Sequence, residues 1–199
     1  MIDIKNGKNT VIYARNVIEE YVKNKKIPLC NFSGVFKDKK GAFVTIHTYP
    51  DYSLRGCIGI PLPVMSLCDA ITEGATSATH DPRFPTLKEE ELDNIVIEVT
   101  VLSTPKLIKI KNPKDYFKDI VIGRHGLIVE QGFYKGLLLP QVPVEQGWDI
   151  EEFLNHTCIK AGLMPDAWFD KQTKVYKFEG QVFTEIKPRG EIKEKKLNE

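Results

Sequence analysis

This chain has no apolar run approaching the roughly 18 residues that a membrane span needs. It also lacks an excess of either charge: 28 Lys and Arg stand against 27 Asp and Glu, a net charge of +1. That balance leaves no electrostatic footprint for nucleic acid or a membrane surface, and no basic stripe with interleaved aromatics is present. Nucleic acid therefore ranks below a small molecule or a protein as partner, and a membrane is excluded. The opening residues, MIDIKNGKNT, lack the apolar core of a signal peptide, so a cytoplasmic chain is expected. Histidine is scarce, and His47, His80, His125 and His156 show no i, i+4 pair and no metal-ligand spacing. Cysteine is scarce too. Cys30, Cys57, Cys68 and Cys158 form no C-x-x-C, which argues against a zinc finger or a dithiol redox pair. In a reducing compartment all four are expected as free thiols, with Cys68 and Cys158 serving as core residues of helices.

What is present is an ordinary globular composition, 42% hydrophobic and 28% charged over 199 residues, enough for one large domain or two small lobes. Asn9 or Thr10 can cap a helix to about Lys25, with Val11, Ala14, Ile18 and Tyr21/Val22 on one face. Ser33–Lys37 and Ala42–Tyr49 read as strands around an Asp38–Gly41 turn, and a further strand begins at Leu54. A helix over Val64–Thr79 ends in small residues suited to close packing, and Asp81–Pro85 stops it. Asn94–Ser103 is a strand. Residues 104–140 carry short apolar runs broken by Gly and Pro, with a short helix near Pro113–Lys118. Asp149 caps a helix to about Ala161, Glu152 completes a capping box, and Gly162 supplies the stop. Lys174–Ile186 is a last strand or hairpin. The pattern is not a regular β-α-β alternation, so an α+β fold of two lobes, with mainly antiparallel sheets packed against helices, is expected. The larger lobe would be 1–103 with 141–186, the smaller 104–140, and 187–199 a flexible charged tail.

The chemistry concentrates in LRGCIG, Leu54–Gly59. On a strand, Leu54, Gly56 and Ile58 point one way and Arg55, Cys57 and Gly59 the other. The second set places a guanidinium beside a thiol. An adjacent cation favours the thiolate, and Gly59 would leave room for a ligand to approach. The alternative is a buried cysteine between bulge glycines. Asp81 and Arg83, between two prolines, could orient Arg55 or a ligand, or close a turn as a structural ion pair. Glu98, inside an apolar strand, could face Arg55 or act as a general base, or lie on the wet side of a sheet. Gly123–Gly126 (GRHG) looks like a KH-domain loop, but its flanks read as strands, so KH is rejected. His125 remains an acid–base candidate on a loop, or a surface histidine. Gln141, between Pro140 and Pro143, could offer its amide to a ligand or stabilise a turn.

Leu54–Gly59 match, letter for letter, the LRGCIG hallmark of the AMMECR domain family, which the chain resembles from end to end. The likeness continues through DPRF (Asp81–Phe84), IEVTVLS (Ile97–Ser103), GLLLPQV (Gly136–Val142), WDIEEFLNHTCIKAGL (Trp148–Leu163) and VYKFEGQVF (Val175–Phe183). One departure is the helix at Gly74 and Thr79, where relatives tend to be richer in alanine. The resemblance implies a single AMMECR-type domain over 1–186, built as two α+β lobes. It also implies Memo-like and radical-SAM proteins as partners, since members are often fused to them or encoded beside them. It supplies no reaction, substrate or cofactor.

The combined reading is an enzyme, or an accessory subunit of one, with a cleft around Arg55 and Cys57 and a small-molecule or protein-borne substrate. Cys57 would be nucleophile or ligand contact, Arg55 would hold an anion and lower the thiol's pKa, and Glu98 or His125 would move a proton. Gly56, Gly59, Asp81, Arg83 and Gln141 would contact ligand. The alternative is a non-catalytic binding module, with a role in transcription, repair or translation ranked lower.

Overall fold

The computed structural model describes residues 1–195, which divide into two compact units, 1–102 with 181–195 and 103–180. Helices alternate with strands whose paired neighbours run antiparallel, in agreement with the expected α+β class. No described helix is long and apolar enough to cross a membrane.

In the first unit, α1 spans Ile4–Asn24 and begins earlier than the expected cap at Asn9 or Thr10. The cap is Asp3, whose carboxylate accepts from the Asn6 backbone N–H at 2.7 Å. Thr10 instead turns its hydroxyl back onto the Gly7 carbonyl within the helix. Gly7 is required by packing, since a Cβ there would sit 2.1 Å from the Phe183 ring. Val11, Ala14, Val17 and Ile18 bury the inner face completely.

The residues expected as a strand at Ser33–Lys37 form a 3-10 helix, Gly34–Lys37, with Gly34 at a positive φ of 64°. Strands β1 (Ala42–Thr48), β2 (Leu54–Ile60) and β3 (Ile95–Leu102) follow the expected spans closely. They lie in the order β2-β1-β3, so β2 is an edge strand. Val44, Ile46, Ile97 and Val99 join α1 and α2 (Leu67–Ala78) in one core. The small residues of α2 allow close approach: the site of a Cβ on Gly74 lies 3.1 Å from the Ile58 carbonyl and 3.2 Å from Val44. Arg15 and Glu185, both buried, form an ion pair. Arg15 also donates to the carbonyls of Leu92 and Ile95, and Glu185 accepts from the Ile97 N–H at 2.9 Å.

In the second unit, β4 (Lys106–Leu107) and β5 (His125–Gln131) pair with the first part of β7 (Lys174–Glu185), and β6 (Tyr134–Leu138) closes a hairpin with β5. Short helices α3 (Tyr116–Asp119) and α4 (Gln141–Gln146) precede α5 (Ile150–Lys160), which has the expected Asp149/Glu152 capping box. Phe153, Leu154 and Cys158 of α5 pack with Leu127, Val129, Trp168 and Val175. Gly136 lets β6 touch the end of α5, because a Cβ there would lie 2.3 Å from the Ala161 nitrogen.

The lobe boundaries therefore differ from those expected. Residues 141–180 belong with 103–140, because α5 buries its apolar face on β5 and β6. The tail is not wholly frayed either: β8 (Ile192–Lys195) pairs with Val182–Glu185 of β7. Residues 196–199 lie outside the described part.

Cys30 and Cys68, expected as free thiols, are joined in a disulfide, with their Cα atoms 6.3 Å apart. The bridge ties the segment after α1 to the first turn of α2. Closing a separation of 38 residues removes chain entropy from the unfolded state worth about 4 kcal/mol. Reduced wild type and the Cys30→Ala/Cys68→Ala variant should both lose stability of about that size in urea unfolding. Coincident transitions for oxidised and reduced protein would refute the bridge.

Candidate functional site

Thr45 of β1 stands directly opposite Cys57 of β2 on one side and Glu98 of β3 on the other. Directly paired residues share a sheet face. Cys57, Thr45 and Glu98 therefore form a row across three strands, on the face turned away from α1 and α2. The Thr45 hydroxyl donates to Cys57 Sγ at 3.2 Å. His47, two residues along β1, places Nε2 4.0 Å from Glu98, and Lys195 Nζ lies 3.5 Å from the other carboxylate oxygen.

The backbone of Cys57 is held from outside the sheet. Its N–H donates to Asp81 Oδ2 at 2.9 Å, and its carbonyl accepts from Arg83 Nη2 at 3.2 Å. The Asp81 carboxylate also accepts from the Arg83 backbone N–H at 3.1 Å, from its Nε at 3.0 Å and from its Nη2 at 2.6 Å. An edge strand presents unpaired N–H and C=O groups. Here the DPR turn satisfies one such pair in place of a neighbouring strand. Hydrogen bonding to Arg83 holds the buried Asp81 carboxyl far below the usual carboxylate range, against the opposing effect of burial. Asp81 and Arg83 thus close a turn and brace β2, the structural alternative, and they do so at Cys57 itself.

Arg55 does not pair with Asp81 or Glu98, the partners expected for it. It makes a two-pronged ion pair with Glu91, Nε to Oε1 at 2.8 Å and Nη2 to Oε2 at 3.1 Å. Glu91 sits in the 3-10 turn Glu89–Asn94 and also accepts from the Lys88 N–H. Burial pushes the Glu91 carboxyl up, yet these hydrogen bonds outweigh it and its pKa falls. The thiol's electrostatics follow. Burial raises the Cys57 pKa above its ordinary value, the Thr45 hydrogen bond and the Arg83 charge oppose that rise, and Glu98 and Asp81 add to it. The expected depression by Arg55 is replaced by a net rise, with Arg83 as the relevant cation. Glu98 is held ionised: burial raises its pKa, but His47 and Lys195 lower it by more.

At both motif glycines the space that a Cβ would take is already occupied. A Cβ on Gly56 would lie 2.3 Å from the Ala78 carbonyl at the end of α2, and one on Gly59 would lie 2.3 Å from the Ala42 carbonyl. Both positions are filled by the protein's own backbone.

His125 and Gln141 belong to the second unit, whereas Cys57 belongs to the first. His125 is 7% exposed and opens β5 instead of lying on a surface loop. Its Nδ1 accepts from the Val121 N–H at 3.0 Å, its Nε2 lies 3.7 Å from Glu179, and burial lowers its pKa. Gln141 is the first residue of α4 rather than part of a proline-held turn, and its Oε1 is buried without a hydrogen-bond partner among the described residues. Cys158 is buried, and burial pushes its thiol up to about 11. Among the described residues no group of three or more His, Cys, Asp or Glu is placed to hold a metal ion.

Sequence reasoning passed over Thr45, His47 and Glu91. The first two had a signal: they alternate with Val44 and Ile46 on β1, as residues of a polar sheet face should. Glu91 lies in a run of acids, EEE, and nothing in the sequence separates it from its neighbours.

The AMMECR1 family model matches residues 11–183. The chain is 56% identical to protein MJ0810 of Methanocaldococcus jannaschii over 198 residues, covering 99% of this chain and 98% of that one. It is 48% identical to protein MK0488 of Methanopyrus kandleri, covering 100% and 97%. The crystal structure of protein PH0010 from Pyrococcus horikoshii is similar at a TM-score of 0.86 and 50% identity, over 98% of each chain.

Replacing Asp81 by Asn removes the charge that anchors Arg83 and the Cys57 N–H, and should cost about 2–3 kcal/mol at pH 7. Because its folded pKa lies below the unfolded value of about 3.9, the stability it contributes is complete above that pH and is lost as pH falls through the folded pKa. The gap between wild type and Asp81→Asn in denaturant unfolding should therefore narrow below about pH 4. A gap that is constant down to pH 2 would assign the loss to packing rather than charge.

Proposed function

The chain belongs to the AMMECR1 family, and from that premise we propose that it is an enzyme, or an accessory subunit of one, working in the cytoplasm through the Cys57 thiol. One observation carries this reading. Both backbone polar groups of Cys57 are tied off by Asp81 and Arg83, while its half-buried side chain keeps only a hydrogen bond from Thr45. The brace fixes the backbone at an edge-strand position and leaves the thiol half buried on the face that carries Thr45 and Glu98.

In this reading Cys57 is the nucleophile or the direct ligand contact. A thiolate formed there is stabilised by the Thr45 hydroxyl and the Arg83 guanidinium. Glu98, ionised in the same row, opposes that thiolate. A substrate whose cationic group neutralises Glu98 would lower the thiol's pKa as it binds, so the thiol is activated only when the substrate is present. Arg55, occupied by Glu91, positions β2 instead of holding an anion. The substrate is small or protein-borne. Memo-like and radical-SAM proteins, which the family resemblance brings in as neighbours, are the partners an accessory role would serve.

The burial that keeps the thiol protonated favours a second reading, a non-catalytic binding module in which Cys57 only lines a surface. The two readings separate by alkylation of the folded protein. With Cys30 and Cys68 bridged and Cys158 buried, iodoacetamide should modify Cys57 first. Its rate should be slow at pH 7 and rise as pH climbs through the ordinary thiol range, because only the thiolate reacts. Glu98→Gln removes the opposing charge and should speed labelling at pH 8 by about three- to tenfold. Peptide mass spectrometry reads both. No labelling of Cys57 up to pH 10 in folded protein would remove it as a nucleophile and leave the binding module.

A further inference from the structure

The second unit contains a hollow of about 480 Å³ that the Cys57 row does not use. Its size falls in the range of small-molecule sites. The floor is apolar and aromatic: Ile108, Tyr116, Trp168 and Val175 line it, and all four are at least 95% buried. Phe169 stacks on Trp168 with ring centroids 3.8 Å apart and is half exposed, so it forms one wall that a ligand can touch. Trp168 is fixed, because its indole N–H donates to Asn155 at 2.7 Å and Tyr116 meets it edge-on.

The rim is predominantly positive. Lys109, Lys111, Lys171 and Lys174 line the opening against Asp170 alone, in a protein whose net charge is +1. None of these lysines is in an ion pair among the described residues, and all are exposed. A neighbouring hollow of about 630 Å³, which shares Phe169 and Asp170, is the reverse: Asp166 joins Asp170 there and no lysine lines it. The positive charge therefore belongs to the aromatic hollow and not to the whole surface around it.

We infer that this hollow binds a small anion with a flat apolar body, its ring against Phe169 and the aromatic floor and its anionic group among the rim lysines. Stacking selects the body and is tolerant of its identity, whereas the lysines select the sign of its charge. An ammonium point charge on a flexible stem suits a carboxylate or a phosphate equally. The class is therefore set by shape and sign.

The test uses the full chain and three probes of one shape: 2-naphthoate, its neutral carboxamide, and 2-naphthylmethylammonium. The two tryptophans give separate indole N–H signals in a nitrogen–proton NMR spectrum, Trp168 reporting on the hollow and Trp148 serving as control. Naphthoate should move the Trp168 signal, and not that of Trp148, with a Kd of about 1 mM or tighter. The carboxamide should bind about fivefold or more weakly, the ammonium weaker still, and added salt should erase the difference. Lys109→Glu/Lys171→Glu, at exposed positions that leave the fold intact, should weaken naphthoate about tenfold and bring the ammonium probe above it. Phe169→Ala should weaken all three. A Trp168 signal that stays still at about 10 mM naphthoate, or equal affinity for the three probes, would overturn the assignment.

Discussion

A single buried carboxylate, that of Asp81, holds the edge of the first unit's sheet to the turn that follows α2. It accepts from the Cys57 N–H and from three nitrogens of Arg83, and Arg83 returns a hydrogen bond to the Cys57 carbonyl. Burying a charge is costly unless it is paired and fully hydrogen-bonded, and here it is both. Much else depends on the closure. It brings the end of α2 against β2 so closely that only glycine fits at position 56. It also leaves the Cys57 side chain beside Thr45, on the face that carries Glu98.

A pair buried on both sides, Arg15 with Glu185, does for the other side of that sheet what Asp81 does for its edge. The partners are far apart in sequence, and their remaining hydrogen-bonding capacity goes to Leu92, Ile95 and Ile97. This explains why the last residues of β7 belong with the first unit although its first part pairs in the second. Together the two pairs fix β3 and β2, the strands that carry Glu98 and Cys57. The thiol is then placed by charges it does not itself carry, and burial keeps it protonated.

Much of the fold was legible because periodicity and caps are local. β1, β2, β3, the small-residue helix α2 and the boxed helix α5 all lie close to where alternation, helical spacing and Asp149/Glu152 put them. The errors came where a local pattern was ambiguous. Ser33–Lys37 carries strand-like residues yet coils into a 3-10 helix after a positive-φ glycine. Asp3 outcompeted Thr10 as a cap because Gly7 admits Phe183 and lets the helix begin nearly two turns earlier. The lobe boundary was misplaced because an amphipathic helix shows that it has a buried face, and not which sheet covers it.

The sequence by itself determined the strand over Leu54–Ile60, the opposite facing of Cys57 and its neighbours Gly56 and Ile58, and the rigid Asp81–Pro85 stop, because each follows from backbone geometry within a few residues. The register shift that sets Leu54 opposite His47 and interrupts the alternation at Arg55 is a property of the strand pairing. Only the tertiary structure decided how these are joined. Arg55 turned to Glu91 and not to Glu98, and Cys30 found Cys68. Arg83 replaced Arg55 as the cation beside Cys57, and the carbonyls of Ala78 and Ala42 came to lie where a Cβ on Gly56 or Gly59 would be. The physical reason is common to all four: hydrogen bonds, ion pairs and close contacts between distant segments depend on how separate elements pack, and no local pattern encodes that distance.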